Sequence, residues 1–422
     1  MNVLLTGSSG FLGSHLLPAL LAAGHRVIIT SRTEPVRASG VEWRRLDLAR
    51  LAEDAEQFDW PEDIDVVINA AGLLSADPAQ LDAIQDHGPR VLFSQAAERG
   101  IRILQVSALG AGEHADIAFL ASKSRADDHV LQLGTRNVVL RPSLVVGPGG
   151  TSSNWLVRLS VLPVIPLLNA RSQLQPVHVD DLVGAVLALL RKWPEQALVL
   201  PVVGPEAMNQ GQLIDRLRAA QGWHPARYIA VPTCIAGSIA RIGEPLGWRA
   251  VSRQTLQLVT RDNLADPEPL YAACGYRAAP LALRLCDWPV AQLSASLWLR
   301  PALLMALMII WLGTAAVCLG PGYDWGLRIM AEIGVDGWLA SSSVIVGALL
   351  DAALGLGLLL PRWRRRALGA QLGLMLTYTL FISLILPHYW FDPFMAVGKN
   401  LVLMPATLWL LCSEPPTKER RR

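Results

Sequence analysis

From Asn2 to about Gly204 the chain alternates short apolar runs with longer amphipathic stretches. The runs NVLLTG, HRVIITSR, VEWRRLDL, IDVVINAAG, IRILQVSA, NVVLRPSLVVG and ALVLPVVG are of strand length, and stretches such as GSHLLPALLAAG and GPRVLFSQAAERG are of helix length. This alternation predicts an α/β domain with a doubly wound parallel sheet covered by helices on both faces. From about Pro205 to Pro289 the pattern is more mixed, and NQGQLIDRLRAAQG reads as an amphipathic helix. Beyond Ser296 it changes character. Pro301–Leu319 and Ala367–Pro387 carry no charge, Trp338–Leu360 carries only Asp351, and Phe394–Cys412 carries only Lys399. A bilayer core takes about 20 apolar residues per helix, so these are four candidate spans. The predicted organisation is residues 1–204 as the α/β domain and 205–296 as a small substrate-side extension. Residues 297–412 form a C-terminal four-helix transmembrane domain, and 413–422 a basic tail.

The basic residues orient the spans. Arg362, Arg364, Arg365 and Arg366 crowd PRWRRRA, predicted as one tight turn, and the tail adds Lys418, Arg420, Arg421 and Arg422. Basic connections are retained in the cytoplasm, whereas GPGYDWGLRIMAEIGVDGW and PHYWFDP hold few basic residues and belong outside. The opening MNVLLTGSSG reads as a strand entering a glycine turn rather than as a signal peptide. The expected location is a multi-pass plasma (inner) membrane, with the α/β domain and the C-terminus cytoplasmic and the lipid bilayer as partner.

Composition adds little beyond this. Apolar residues make up 52% of the chain against 17% charged, and the formal net charge of +2 gives no electrostatic pull toward nucleic acid. Cys234, Cys274, Cys286, Cys318 and Cys412 are scattered, odd in number and without metal-ligand spacing, so neither a disulfide framework nor a metal site is expected. Protein partners are not legible.

The chemistry starts at TGSSGFLG, between the first strand and the first helix. Gly7, Gly10 and Gly13 let backbone N–H groups approach a pyrophosphate, and the helix N-terminus favours its charge. Within a strand–turn–helix unit this pattern points to a dinucleotide cradle made by Gly7, Ser9, Gly10, Phe11, Leu12 and Gly13. The second strand ends IITSR, with Ser31 where an acid would bind a ribose 2′-hydroxyl and Arg32 next to it. That arrangement favours NADP(H) over NAD(H). Asp47 and Leu48, closing the third strand, are expected near the adenine. Lys123 is one of four lysines in an arginine-rich chain.

Residues from Asn2 to about Pro289 resemble the extended and atypical short-chain dehydrogenase/reductases, which have a Rossmann-type fold. The resemblance is carried by TGSSGFLG, DL at 47–48, NAAG at 69–72, VSALGA at 106–111, FLASK at 119–123, RPSLVVGPG and PVHVDDL. It is greatest to the atypical branch that includes the NADPH-binding accessory subunit of respiratory complex I. The resemblance implies cofactor contacts from Asn69, Ala70, Ala71 and Gly72, and from Arg141, Pro142 and Ser143 beside the nicotinamide. It also implies a catalytic group of Ser107, Lys123 and a tyrosine. Phe119 stands at that tyrosine's position and cannot pass a proton, leaving His114, Asp116 or water as substitutes. The C-terminal spans resemble the DoxX-like membrane family through span number, PHYWFDPF and KN at 399–400, and some members of that family are tied to quinone-coupled or thiol redox processes.

Two functions follow from these residues. One is an oxidoreductase acting on a lipophilic substrate or quinone; the other is a catalytically silent NADP(H)-binding protein with a structural or redox-sensing role. His178 is expected to be structural and Asp181 to cap the following helix; Asp351 and Lys399, ionisable within the membrane, are either functional or else a structural pair or snorkelling toward the headgroups.

Overall fold

The computed structural model describes residues 1–34, 41–75, 77–134, 136–167, 171–231, 253–391, 395 and 397–414. The chain divides into two compact units, Met1–Ser294 and Ala295–Arg422.

The first unit is built on seven parallel strands: β1 (Asn2–Thr6), β2 (Arg26–Ser31), β3 (Glu42–Arg45), β4 (Val66–Asn69), β5 (Arg102–Val106), β6 (Val138–Pro142) and β7 (Leu198–Val202). Their order is 3-2-1-4-5-6-7, and every pairing in the sheet is parallel. Because side chains alternate across a strand, Val3 and Leu5 join one core while Leu4 joins another on the opposite face. The first core is closed by α1 (Phe11–Ala22), through Leu16 and Leu20, and by α4 (Val179–Arg191), through Val186, Leu189 and Leu190. The second is closed by α2 (Gly88–Glu98), through Leu92 and Phe93, and by α3 (Ala118–Gln132), through Ala126 and Val130. Strand order reverses between β1 and β4. The crevice at their carboxyl ends is where ligands of open α/β sheets bind.

Several boundaries differ from the sequence reading. NVVLRPSLVVG is broken at Pro142: Val145–Val146 leaves the main sheet and pairs with Val177–His178 instead. The third strand stops at Arg45, and Asp47 caps a short helix, Leu48–Leu51, by accepting from the Ala49 N–H at 3.2 Å. The helix within NQGQLIDRLRAAQG spans Gln210–Ala219, held by a capping box between Asn209 and Gln212.

Asp181 does not cap α4. His178 does, its Nδ1 accepting from the Asp180 N–H at 3.3 Å. Asp181 lies fully buried within the first turn, where it accepts from the Tyr276 hydroxyl at 2.9 Å and from Arg284 Nη2 at 2.6 Å. It ties the 276–284 segment to the sheet domain.

The second unit holds α6 (Tyr323–Glu332), α7 (Gly337–Gly357), α8 (Pro361–Ile385) and α9 (Asn400–Ser413), while α5 (Val290–Leu319) enters it from the first. Among the described residues, α5, α7 and α8 are long and apolar enough to cross a membrane. The fourth span predicted over 394–412 is shorter. Met395 has a positive φ of 49° and the helix starts only at Asn400. Its 14 residues reach about 21 Å.

The arginines of PRWRRRA do not form a turn. Pro361 opens α8, and Arg362 to Arg366 lie in its first two turns, because proline is suited to the first helical position. Arg300 Nη2 donates to Glu414 at 2.5 Å, and Arg365 donates to the Glu414 carbonyl at 2.8 Å. The start of the apolar part of α5, the start of α8 and the end of α9 therefore share one side of the bundle. Glu332 meets His388 at 3.4 Å on the other side.

Candidate functional site

The loop after β1 is shaped by two glycines for different reasons. Gly7 sits at φ +69°, and a Cβ there would lie 2.7 Å from the Ala71 N atom. A Cβ at Gly13 would lie 2.1 Å from the Gly7 carbonyl oxygen. The turn can close against both the end of β4 and the start of α1 only without side chains. Gly10 and Ser9 are exposed at the mouth, and the first turn of α1 carries no acidic residue. This leaves a cradle open to an anionic group at a helix N-terminus. Phe11 packs its ring toward Gly150, while Leu12 is partly buried against the core.

The end of β4 is fixed by Asn69, which is 1% exposed. Its Oδ1 accepts from the Thr6 hydroxyl and from the Ala71 N–H, and its Nδ2 donates to Gln105 Oε1 at 2.7 Å. Asn69 therefore positions the Ala70–Ala71–Gly72 turn beside the glycine loop.

Lys123 approaches this turn from α3. Its ammonium donates to the Ala71 carbonyl at 3.2 Å and to the Val106 carbonyl at 3.0 Å. An ammonium has three donors, so one is left. A Cβ at exposed Gly72 would stand 3.3 Å from Nζ, so this glycine keeps the approach open. Burial lowers the Lys123 pKa to about 8, against the opposing pull of the Asp127 carboxylate. Beside it, a π-helical turn at Ala83–His87 carries Gln85, whose Nε2 donates to Ser122 at 3.3 Å while its buried Oε1 has no partner.

Ser107 is turned inward. It is 6% exposed and donates to Asp127 Oδ2 at 2.7 Å, and the same oxygen accepts from Arg141 Nε at 3.0 Å. Asp127 follows Lys123 by four residues, on the same face of α3. Sequence reasoning missed it, although that spacing after the lysine was the available signal. Pro142 and Ser143 are buried at the end of β6, and the Ser143 hydroxyl has no partner.

Burial raises the Asp127 pKa to about 6, against hydrogen bonds from Ser107 and Arg141 that lower it. Between pH 3.8 and about 6 the folded chain then holds a proton that the unfolded chain has released. Stability falls as pH rises through this window. The stability difference between wild type and Asp127→Asn should fall by roughly 3 kcal/mol across it, read by denaturation of the full chain in detergent. A difference that stays flat would refute the raised pKa.

At the far end of β2 the Ser31 hydroxyl is engaged locally: it donates to the Thr33 carbonyl at 2.6 Å and accepts from Trp43 Nε1 at 2.8 Å. Arg32 is exposed. The strand register sets exposed Arg45 beside Ser31, a second cation that sequence reasoning did not single out. Asp47 serves as a helix cap, and Leu48 packs into the second core.

Phe119 opens α3, partly buried. Of the substitutes for the missing phenol, Asp116 pairs with Arg261 at 2.5 Å. Arg261 Nη1 also lies 2.7 Å from His114 Nδ1. Because guanidinium can only donate, His114 Nδ1 accepts and Nε2 carries the proton. A concavity of about 800 Å³ lined by Phe58, Trp60, Ile64, Arg99 and Ile101 lies at the opposite, amino-terminal edge of the strands and belongs to none of this.

Residues 3–200 match the NAD dependent epimerase/dehydratase family and residues 306–408 the DoxX-like family. A ceramide reductase of Caulobacter vibrioides is 31% identical over 204 residues, covering 45% of this chain and 61% of that protein. A mitochondrial NADH dehydrogenase [ubiquinone] 1 alpha subcomplex subunit 9 of Arabidopsis thaliana is 27% identical over 254 residues, covering 56% of this chain and 61% of that one. The chain thus spans about three-fifths of the length of these relatives. Among solved structures, a human epimerase family protein with NADPH aligns over 69% of this chain and 99% of its own, with a TM-score of 0.54 at 20% identity. The chain joins an N-terminal domain similar to the NAD dependent epimerase/dehydratase family, of short-chain dehydrogenase/reductase type, to a C-terminal DoxX-like membrane helical domain.

Proposed function

We propose that the chain is a membrane-anchored oxidoreductase that uses NADP(H) on a lipophilic substrate or quinone at the cytoplasmic face. The observation that carries this reading is Lys123: buried, held by two carbonyls, and left with one donor beside the open Gly72 turn. That donor suits a ribose hydroxyl. Gly7, Gly10 and Gly13 would hold the pyrophosphate, with Asn69 fixing the turn beside it. Arg32 and Arg45 would face a 2′-phosphate, and Asp47 would lie toward the adenine side. Arg141 and Ser143 would flank the nicotinamide. The bound nucleotide supplies a hydride. The relative named ceramide reductase supports a lipophilic substrate class.

Proton delivery departs from the family resemblance. Ser107 commits its hydroxyl hydrogen bond to Asp127 and so orders the floor of the site. Phe119 offers no proton, and His114 Nε2 is the remaining proton-bearing group on that loop. A quinone accepting hydride needs less proton assistance than a simple ketone, which suits this site. Phe119 also favours a second reading, a catalytically silent NADP(H) sensor.

Titration with both nucleotides tests the cofactor assignment. Arg32→Asp replaces attraction to a 2′-phosphate with repulsion, and a hydrogen bond to a charged group is worth roughly 1.5–3 kcal/mol. The NADPH-to-NADH affinity ratio should fall by at least about tenfold. An unchanged ratio sinks the NADP assignment.

The orientation is tested by single cysteines labelled from outside intact cells. Positions in 320–337 and 388–391 should react, and 362–366 should not. Labelling at the arginines would invert the proposed topology.

A further inference from the structure

The interior of the second unit is apolar, built from Leu307, Trp311, Leu358, Leu368, Met375 and Leu410. Two polar side chains interrupt it where α7 packs on α8. Asp351 lies on the buried stripe of α7 with Ala348 and Gly355, and Gln371 on the buried stripe of α8 with Leu368 and Met375. Asp351 is 8% exposed and Gln371 0%. Asp351 Oδ1 and Gln371 Oε1 are both buried without a hydrogen-bonding partner.

The orientation of the Gln371 amide is fixed. Its Nε2 donates to the Leu354 carbonyl at 3.1 Å, and a carbonyl can only accept, so Oε1 is the atom left over. The pairing of Asp351 with Lys399 weighed from the sequence is not formed: Lys399 is exposed at the start of α9. The Tyr378 hydroxyl stands 3.8 Å from where a Cβ at Gly347 would be, one turn before Asp351 on α7. Unsatisfied acceptors in a lipid-embedded bundle are costly.

We propose that this seam binds the hydroxyl group of a lipid-soluble alcohol or phenol. Gln371 Oε1 can only accept, so the ligand must donate. Asp351 accepts when ionised and donates when protonated. When Asp351 is protonated it donates to the ligand oxygen, whose own proton goes to Gln371 Oε1, so one hydroxyl bridges the two; an ionised Asp351 competes with Gln371 for that single proton. The neighbouring side chains in the bundle, Leu354, Leu368 and Met375 among them, are apolar, as a hydrocarbon body requires. A bound metal cation is a poorer fit, because hard cations take six or more oxygen ligands.

The test uses the full chain in lipid nanodiscs with a long-chain alcohol bearing a diazirine, photolysed and mapped by mass spectrometry. Adducts should concentrate within 347–355 and 371–378, and excess unlabelled alcohol should displace them. The same diazirine on a chain without the hydroxyl should not concentrate there. Asp351→Leu and Gln371→Leu should each lower the labelling at least tenfold. Asp351→Leu replaces an unsatisfied polar group with an apolar one, so that bundle should melt at the same or a higher temperature, whereas Gln371→Leu also gives up the bond to the Leu354 carbonyl. Asp351→Asn should keep most of the labelling. Adducts spread over lipid-facing residues such as Leu384 and Val402, or equal labelling in the leucine variants, would overturn the proposal. So would equal concentration of the hydroxyl-free probe in the seam, or a site that takes up only water. Nucleotide binding by the first unit should be untouched in all these variants, so failure here is separate from failure of the oxidoreductase reading.

Discussion

Gly10→Trp is expected to abolish nucleotide binding while leaving the fold of the sheet domain intact. The argument rests on a contrast between neighbouring glycines. A Cβ at Gly13 would strike the Gly7 carbonyl oxygen at 2.1 Å and Ser8 Cα at 2.6 Å, so even alanine there would force α1 away from the loop. A Cβ at Gly10 would meet only the Gly7 oxygen, at 3.2 Å, and Gly10 has an ordinary extended backbone with φ −79°. A larger side chain at position 10 fits the chain itself. It projects from the exposed mouth of the turn, over the first N–H groups of α1, where a pyrophosphate would lie. The expected loss of NADPH affinity is at least about 100-fold, equivalent to about 2.8 kcal/mol. In a thermal-shift experiment, NADPH at about 100 times its Kd should stabilise the wild type by about 2.7 kcal/mol. The variant should melt like ligand-free wild type and show no shift. A variant that melts normally and still binds NADPH as wild type does would remove the dinucleotide site from the glycine turn.

How much of this was legible in the sequence depends on whether a feature is local. The strand–glycine–helix turn is specified by consecutive residues, and it lies where the alternation of apolar runs put it. Lys123 was legible because its spacing from position 119 is a local helical feature. Asp127 offered only its spacing after Lys123; its meaning comes from Ser107 and Arg141, which lie 20 and 14 residues away and are brought to it by packing of α3 against β5 and β6. Arg45 was invisible for a similar reason: only the register of β2 against β3 sets it beside Ser31.

The membrane domain repeats the lesson. Absence of charge marked the apolar helices, but not where they begin. Arg362 to Arg366 read as a turn by charge, yet Pro361 starts a helix through them. Positive φ at Met395 and the turn at Gly398 and Lys399 shorten the last helix, and neither effect is visible in hydropathy.

Phe119→Tyr is expected to create, or sharply increase, NADPH-dependent reduction of carbonyl compounds. Position 119 lies in the first turn of α3, one turn before Lys123, so a phenol there shares the helix face that carries the Lys123 ammonium toward the Gly72 turn. Burial already holds the Lys123 pKa at about 8. A charged ammonium near a phenol lowers the phenol's pKa toward the working range of a general acid. General acid–base catalysis contributes typically about 10²–10⁴-fold, which is well above the background of a site that binds cofactor and substrate without a proton donor. Quinone reduction should change little in the same variant, since it does not rely on this proton. The rates should be read side by side in detergent-solubilised full chain, with the nucleotide Kd measured for both proteins so that altered binding is not mistaken for altered chemistry. If wild type already reduces a simple carbonyl at ordinary enzyme rates, another group supplies the proton. His114→Gln, which keeps an acceptor for Arg261 but has no imidazole, would then remove that activity and its pH dependence together.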